Sequence, residues 1–176
     1  MDRFMEQVVV KHNRALNEVL YVAALIMMIF SGILAFFLLQ MMLYAFDWGM
    51  LVFFVLEAGI TAGLFFYRDR LRAEYEYTFT NGALDFAMVF NNKKRKSLGS
   101  LNVRNVEAFG PVNSDSFKRY MGMQGAKTSN WFLNRGAELY YFYFQKEGNM
   151  RIIVLEPNEE LVSYIKQYVP MSAQMN

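Results

Sequence analysis

Residues 19–67 read VLYVAALIMMIFSGILAFFLLQMMLYAFDWGMLVFFVLEAGITAGLFFY, and this stretch decides the fold. Its first part, residues 19–46, has no charged side chain, and its second part, residues 50–67, has one, Glu57. A helix needs roughly 20 apolar residues to cross a bilayer, and in lipid a helix satisfies its own backbone hydrogen bonds. The sequence therefore predicts a transmembrane helical hairpin that turns at Asp47-Trp48-Gly49. The alternative, a buried hairpin of a soluble protein, is disfavoured because residues 19–46 offer no polar face to water.

The distribution of positive charge predicts the orientation of this hairpin. Lys11 and Arg14 precede the first span, and Arg68, Arg70 and Arg72 follow the second, whereas the turn between the spans has no Lys or Arg. Because cytoplasmic flanks are rich in Lys and Arg, we expect a multi-pass protein of the cell membrane with both termini in the cytoplasm. A cleaved signal peptide is excluded because the apolar stretch is too long and a second span follows at once.

Residues 1–18 are predicted to form a short amphipathic helix on the cytoplasmic side. Phe4, Val8 and Ala15 lie near one stripe of such a helix, with charged residues elsewhere. This helix either lies in the membrane interface or extends the first span into the cytoplasm. His12, the single histidine of the chain, is expected on its surface.

Glu57 lies near the middle of the second span, where an ionisable side chain is costly and normally faces protein, water or a partner. In a functional interpretation it is a proton or cation site. In a structural interpretation it is a neutral carboxylic acid that bonds to Ser31, Gln40 or a neighbouring protomer. We favour the structural interpretation because two spans supply few groups for a transport path.

Gly59 and Gly63 form a G-x-x-x-G pattern in the second span. Small residues let helix backbones approach closely, and packing drives helix association in lipid. The two glycines are expected to pack either against the first span, which we favour, or against a second copy of the chain, which would make the protein a homo-oligomer.

Residues 74–170 are predicted to form a cytoplasmic β domain. Apolar and polar residues alternate in residues 74–80 and in residues 84–90, and the intervening Asn81-Gly82 is a strong signal for a two-residue hairpin turn. The other predicted elements of the domain are strands at 93–101, 137–145 and 150–156 and a helix at 157–169.

Residues 110–135 interrupt this pattern. They are rich in Gly, Asn and Ser, which predicts a long loop, and Ser114 is placed to cap one helical turn that reaches Tyr120. The loop is unusually apolar, so it is expected to cover the sheet, touch the membrane or hold a partner.

The segment EYEYTFTNGALDFAMVFNNKKRKSLGSLNVRNVEAF, residues 74–109, resembles the start of bacterial membrane-anchored domains of the pleckstrin-homology-like (PH-like) class. The ending RIIVLEPNEELVSYIKQYV, residues 151–169, is similar to their last strand and capping helix. The whole chain resembles a family of small bacterial membrane proteins with two spans and such a domain. The resemblance implies an α+β membrane protein in which the hairpin precedes an antiparallel PH-like barrel or curled sheet with a C-terminal helix. It brings no agreed activity with it.

The chemistry available to the chain argues against catalysis. It has no cysteine and one histidine, which excludes disulfides, thiolate chemistry and a multi-histidine metal site within one chain. Phosphate-binding, dinucleotide-binding and zinc-protease motifs are absent from the sequence. We therefore predict a protein that is not an enzyme and uses no cofactor or metal.

One basic run stands out, and it consists of four adjacent cations: Lys93, Lys94, Arg95 and Lys96. Near a membrane such a run attracts anionic lipid headgroups, and it also suits an acidic protein partner. A solvated turn, or an edge strand blunted by Lys, is the slightly favoured explanation of the run, and nucleic acid is the least favoured ligand. Lys118-Arg119 is a smaller basic pair on the predicted loop.

The leading hypothesis is a membrane-anchored, non-enzymatic binding or scaffold protein. Its cytoplasmic PH-like domain binds a protein, a peptide or an anionic lipid. The alternative is a small oligomeric transport or channel component in which Glu57 from several copies lines a pathway.

Overall fold

In the computed structural model, which describes residues 3–175, the chain divides into two units. The helical unit comprises residues 13–73 and 90–93. The sheet unit comprises the residues up to His12, residues 74–89 and the residues from 94 onward. The short turn 90–93 thus belongs to the helical unit, although the strands before and after it belong to the sheet unit.

Two long helices form the predicted hairpin, α1 (Arg14–Tyr44) and α2 (Trp48–Tyr67). Both are long and apolar enough to cross a membrane. The 31 residues of α1 span about 46 Å at 1.5 Å per residue, which exceeds a hydrocarbon core of about 30 Å. Asp47 caps α2, because its carboxylate accepts a hydrogen bond from Met50 N–H at 3.1 Å.

The apolar side chains of the hairpin point outward. No residue of α2 is buried, and α1 buries Tyr21, Ser31 and Ala35. Soluble monomers rarely expose contiguous apolar patches larger than a few hundred Å². An exposed apolar surface along two whole helices therefore indicates that lipid surrounds them.

The first sheet has the strand order β1-β2-β3-β4. Its members are β1 (Phe4–Val9), β2 (Ala73–Thr80), β3 (Ala83–Phe90) and β4 (Lys94–Asn102). Asn81 and Gly82 join β2 to β3 with φ angles of 50° and 97°, both in the left-handed region that a tight hairpin of this kind requires. The predicted Asn-Gly hairpin is confirmed.

The predicted helix over residues 1–18 is wrong for residues 4–9. These residues form β1, which pairs antiparallel with β2, with Phe4 opposite Thr80 and Val9 opposite Tyr75. The run of valines in residues 8–10 favours a strand, and pairing with β1 satisfies a backbone edge of β2 that would otherwise be open. The first helix begins only at residue 14, and residues 1 and 2 lie outside the described part of the chain.

The second sheet has the strand order β5-β7-β8-β6. Its members are β5 (Ala108–Pro111), β6 (Lys127–Trp131), β7 (Tyr140–Lys146) and β8 (Asn149–Leu155). Strands β5, β7 and β8 pair antiparallel, whereas β6 runs parallel to β8.

The region predicted as a loop, residues 110–135, contains a helix and a strand. Helix α3 (Asp115–Met121) begins at Ser114, whose hydroxyl accepts a hydrogen bond from Phe117 N–H at 3.3 Å, so the predicted cap is confirmed. The rest of the region includes β6, and the loop prediction is wrong there because β6 is stabilised by pairing with a distant strand. The ring of Tyr120 in α3 stacks on Tyr143 of β7 at 4.1 Å, so α3 covers one face of the second sheet.

Helix α4 (Glu159–Tyr168) packs against the main core, which takes side chains from both sheets. Asn158 caps it by accepting a hydrogen bond from Leu161 N–H at 2.8 Å. The two sheets are not closed into a barrel. Instead, Tyr75 and Tyr77 of β2 donate hydrogen bonds to backbone carbonyls of β6, so side chains join the two sheets along that side.

Candidate functional site

The basic run divides between a turn and a strand. Lys93 lies on the turn after β3, and its N–H donates to Phe90 C=O at 3.0 Å, whereas Lys94, Arg95 and Lys96 begin β4. All four side chains are exposed. Because successive residues of a strand point to opposite faces, the four cations do not form one continuous patch.

Arg95 differs from its neighbours because it has an intramolecular partner. Its Nε lies 2.9 Å from Glu76 Oε2, and Glu76 belongs to β2, two strands away across the sheet. Lys93, Lys94 and Lys96 make no ion pair within residues 3–175. The cations available to a ligand are therefore the three lysines.

Lys93 lies on a turn that Asn91 attaches to the end of the hairpin through hydrogen bonds. Asn91 Nδ2 donates to Asp69 Oδ1 at 2.8 Å and to Tyr21 OH at 3.2 Å. Its Oδ1 accepts from Arg72 Nη1 at 3.2 Å, and its N–H donates to Arg72 C=O at 2.9 Å. All these groups belong to the helical unit, so the turn is hydrogen-bonded to the first turns that follow α2 and to α1.

Arg72, which bonds to Asn91, also contacts two residues of α1. Its guanidinium lies 3.7 Å from the centre of the Tyr21 ring, which is a cation–π contact, and it also pairs with Glu18 of α1. Sequence reasoning identified Arg72 only as a topology signal. The network was not predicted, since it joins residues far apart in the chain.

Glu57 makes its contacts within the hairpin. The Ser31 hydroxyl lies 2.7 Å from Glu57 Oε2 and 3.0 Å from Glu57 C=O, and Thr61 Oγ1 donates to Ser31 Oγ at 3.0 Å. Ser31, the first of the partners expected in the structural interpretation, is one of the few buried residues of α1. The other intrachain partner considered, Gln40, makes no hydrogen bond to Glu57 in the structure.

Gly59 and Gly63 do not pack against the first span. A methyl group built on either glycine would meet no atom within 4 Å. The expectation that they pack within the hairpin is therefore wrong, because Glu57 and Thr61 occupy the face of α2 that contacts α1. The second alternative, contact with another copy, stays a prediction.

A buried polar network in the sheet unit was missed by sequence reasoning. Glu156, 8% exposed, accepts hydrogen bonds from the backbone N–H groups of Leu133 and Asn134 and from the Asn134 side chain. His12 Nε2 lies 3.8 Å from the same carboxylate, although its side chain is 71% exposed. No local pattern marks Glu156, which follows an ordinary apolar strand.

Some tyrosines and one aspartate of the sheet unit have pKa values that the structure shifts. Burial raises the pKa of Tyr77 and of Tyr141. The pKa of Asp115 is lowered by its hydrogen bond to Lys118 at 2.8 Å, so one cation of the smaller basic pair is already matched. Among residues 3–175, no group of three or more His, Asp or Glu side chains is arranged to hold a metal ion.

The fold is that of a membrane protein with a PH-like domain. It consists of a hairpin of apolar helices, two sheets that are not closed into a barrel, and a C-terminal helix on their core. The family described as "Bacterial PH-like domain (DUF6106)" matches residues 1–175, and the chain belongs to this family. No curated protein and no solved structure matches the chain. The family has no established function, and PH-like domains are generally non-catalytic.

Proposed function

We propose that the protein is a membrane-anchored, non-enzymatic binding protein that docks on anionic lipid headgroups through Lys93, Lys94 and Lys96. The hairpin supplies the anchor, and both termini lie on the cytoplasmic side, as the flanking Arg and Lys residues favour. The anionic headgroups belong to the same leaflet that the hairpin enters.

One observation carries this proposal: the turn that bears Lys93 is hydrogen-bonded to the end of the hairpin. Asn91 contacts Asp69, which is two residues beyond the end of α2. An extended chain spans at most about 3.5 Å per residue, so Lys96 lies within about 18 Å of Asn91. The first of these lysines therefore lies near the end of the hairpin, where the hydrocarbon core meets the headgroups.

The expected strength fits a docking contact and not a tight ligand site. A lysine near an anionic surface contributes about 1 kcal/mol, so three free lysines contribute about 3 kcal/mol. Arg95 contributes less because Glu76 already neutralises it. Since the hairpin keeps the domain at the membrane, this modest energy is sufficient to bias its position.

The contacts of Glu57 support an anchor more than a transport path. Its carboxylate is engaged by Ser31 inside the hairpin, and Thr61 bonds to the same serine. In the transport alternative Glu57 would have to exchange these partners for a wet pathway built by several copies.

Amide hydrogen exchange of the full chain in nanodiscs tests the proposal. We expect residues 93–98 to exchange more slowly in nanodiscs that contain an anionic phospholipid than in zwitterionic nanodiscs. Charge reversal in K93E/K94E/K96E should abolish the difference. The matched control K127E/K146E/K166E changes the same number of lysines at other positions, all of them in the sheet unit, and should preserve the difference.

The proposal is overturned if the lipid-dependent protection is absent from the natural chain or persists in K93E/K94E/K96E. Glu57→Gln provides the comparison with the transport alternative. It should leave the protection of residues 93–98 unchanged if the two features are independent.

A further inference from the structure

Arg68 lies where the second span ends, at the boundary of the hydrocarbon core. Helix α2 has 20 residues, which span about 30 Å at 1.5 Å per residue, so its length matches the thickness of the core. Trp48 begins this helix and Tyr67 ends it, and Trp and Tyr side chains are typical of the two interfaces of a membrane. Arg68 follows Tyr67, so it lies at the level of the lipid headgroups.

The side chain of Arg68 turns back along the hairpin. Its guanidinium carbon lies 4.8 Å from the centre of the Phe65 ring, one turn earlier in α2, and its Nη1 contacts the Met28 sulfur of α1 at 3.6 Å. Only 17% of the side chain is exposed. Arginines at apolar surfaces commonly extend their charged group into water, whereas here the positive charge is held against apolar groups.

The groups around this charge satisfy it poorly. Arg68 Nε is buried and has no hydrogen-bond partner among residues 3–175, and the thioether sulfur at Nη1 is a weak acceptor. Asp69 Oδ1 lies 3.9 Å from Nε, too far for a hydrogen bond, and it already accepts from Asn91 Nδ2 at 2.8 Å. Glu18 of α1 pairs with Arg72 instead. Since Nε is enclosed, the terminal Nη groups of Arg68 are the donors that a ligand can reach.

A phosphodiester is the acceptor that fits this guanidinium best. The planar fork of an arginine donates two parallel hydrogen bonds to phosphate oxygens, and such charge-assisted bonds are stronger where the local dielectric constant is low. Lipid phosphates lie at the boundary where Arg68 is found, and basic groups between membrane helices are a recurrent type of site for lipid headgroups.

We propose that Arg68 binds the phosphodiester of one phospholipid through its terminal Nη groups, with the acyl chains of that lipid along the apolar surface of the hairpin. The Arg68 site deepens the proposed function, because it holds a lipid of the class on which the lysines dock. It rests on that function only for the position of the hairpin end at the headgroups, and it uses none of the three lysines.

Native mass spectrometry of the full chain in detergent micelles tests the Arg68 site. After delipidation, dioleoylphosphatidylglycerol is titrated, and the population that carries one lipid gives the dissociation constant. We expect saturable binding that dioleoylglycerol, which has the same acyl chains and no phosphate, does not reproduce. Inorganic phosphate in molar excess should not displace the lipid, because it lacks the acyl chains.

Two substitutions at Arg68 and one at a neighbouring arginine give the matched comparison. Arg68→Gln removes the charge and should weaken the binding of phosphatidylglycerol about tenfold or more, as the loss of a charge-assisted hydrogen bond does. Arg68→Lys keeps the charge without the fork and should have an intermediate affinity. Arg70 is exposed and belongs to the same short helical turn, so Arg70→Gln should weaken the binding clearly less than Arg68→Gln.

The variant K93E/K94E/K96E distinguishes the Arg68 site from the lysine contact. It should retain the bound phosphatidylglycerol in micelles even though it loses the lipid-dependent protection in nanodiscs. A loss of binding as large as that of Arg68→Gln would show that the lysines hold the lipid, which would overturn the Arg68 site and leave the proposed function standing. Conversely, lipid held by Arg68 without any protection of residues 93–98 would overturn the proposed function alone.

Four other results would overturn the Arg68 site. They are equal affinity in the natural chain and Arg68→Gln, equal weakening in Arg68→Gln and Arg70→Gln, binding of dioleoylglycerol as tight as that of phosphatidylglycerol, and displacement of the lipid by inorganic phosphate. If Arg68→Gln loses its helical circular dichroism, Arg68→Lys and the comparison of the two lipids on the natural chain decide the outcome by the same criteria.

Discussion

Asn134 and Glu156 are joined by two hydrogen bonds in the interior of the sheet unit. Asn134 Nδ2 donates to Glu156 Oε1 at 2.7 Å, and Asn134 N–H donates to Oε2 at 3.0 Å. The Asn134 amide also donates to Val10 C=O and accepts from His12 N–H, both at 2.8 Å. Asn134 therefore connects the residues that follow β1 to the end of β8.

Asn134→Ala should destabilise the sheet unit by about 2–3 kcal/mol, since it removes the side-chain hydrogen bonds to the Val10 C=O, the His12 N–H and Oε1 of the buried Glu156. Urea unfolding followed by Trp131 fluorescence in a Trp48→Phe background measures the change. Asn130→Ala is the matched control, because the exposed Asn130 makes no side-chain hydrogen bond in the structure. Equal unfolding midpoints for the two variants would contradict the assignment.

Alanine substitutions at Gly82 and at Gly148 can be compared to separate the cost of backbone strain from the cost of a side-chain clash. Both have positive φ, 97° and 73°, but a methyl group on Gly82 would lie 2.9 Å from the Tyr168 ring, whereas one on Gly148 would meet nothing within 4 Å. Alanine at either site should cost about 1 kcal/mol or more through strain. Gly82→Ala should cost roughly 1–2 kcal/mol more, as overpacking does. Thermal unfolding of the two variants tests this, and equal melting temperatures would show that Tyr168 moves aside freely.

Asn91 and Asn92 form a second matched pair, since both have φ near 50°. Glycine at either position tolerates this φ, but only Asn91→Gly removes the side-chain bonds to Asp69 and Tyr21. We expect trypsin to cleave Asn91→Gly after residues 93–96 several times faster than Asn92→Gly, because a detached turn opens more often. Similar cleavage rates would mean that the side chain of Asn91 does not hold the turn.

The sequence predicted those features that have a local signature. The hairpin followed from a long uncharged stretch, the β2–β3 turn from Asn81-Gly82, and the start of α3 from Ser114. Strand β1 was mistaken for a helix because its partner β2 lies more than sixty residues later in the chain. Likewise, β6 is short and pairs in parallel with a strand that follows it, so no alternation in its own residues could distinguish it from a loop.

The candidate site shows the same limit. The run Lys93–Lys96 is visible in the sequence. The ion pair with Glu76, which makes Arg95 less available to a ligand, depends on the order of the strands. The anchoring of the turn by Asn91 depends on bringing Asp69 and Tyr21 together. Side-chain networks of this kind join distant segments, and composition carries no information about them.

The buried hydroxyl of Tyr77 should make the free energy of unfolding depend on pH in the alkaline range. Burial raises the pKa of this hydroxyl above the value of about 10 that an unfolded chain shows. A group whose folded pKa is raised contributes stability that is complete below about pH 10 and is lost as the pH rises further. Tyr77→Phe should therefore make the alkaline loss of stability shallower by up to about 1.4 kcal/mol per pH unit.

The matched control for that experiment is Tyr44→Phe, since the Tyr44 side chain is 90% exposed. Unfolding free energies measured on both sides of pH 10 give the slope for each variant. If Tyr77→Phe and Tyr44→Phe have the same slope, the Tyr77 hydroxyl ionises in the folded state as easily as in the unfolded chain.

The hairpin gives the last prediction, because its two faces are chemically different. Ser31→Ala removes the hydroxyl that contacts Glu57 and Thr61, and hydrogen bonds between membrane helices contribute about 0.6 kcal/mol on average and up to about 1.7. We expect a loss of about 1–2 kcal/mol in detergent-induced unfolding followed by circular dichroism. Gly59→Ala and Gly63→Ala should be neutral or stabilising, since alanine raises helix propensity by about 1 kcal/mol and meets no atom. Loss of stability in the glycine variants, dependent on protein concentration, would instead place a second copy on that face.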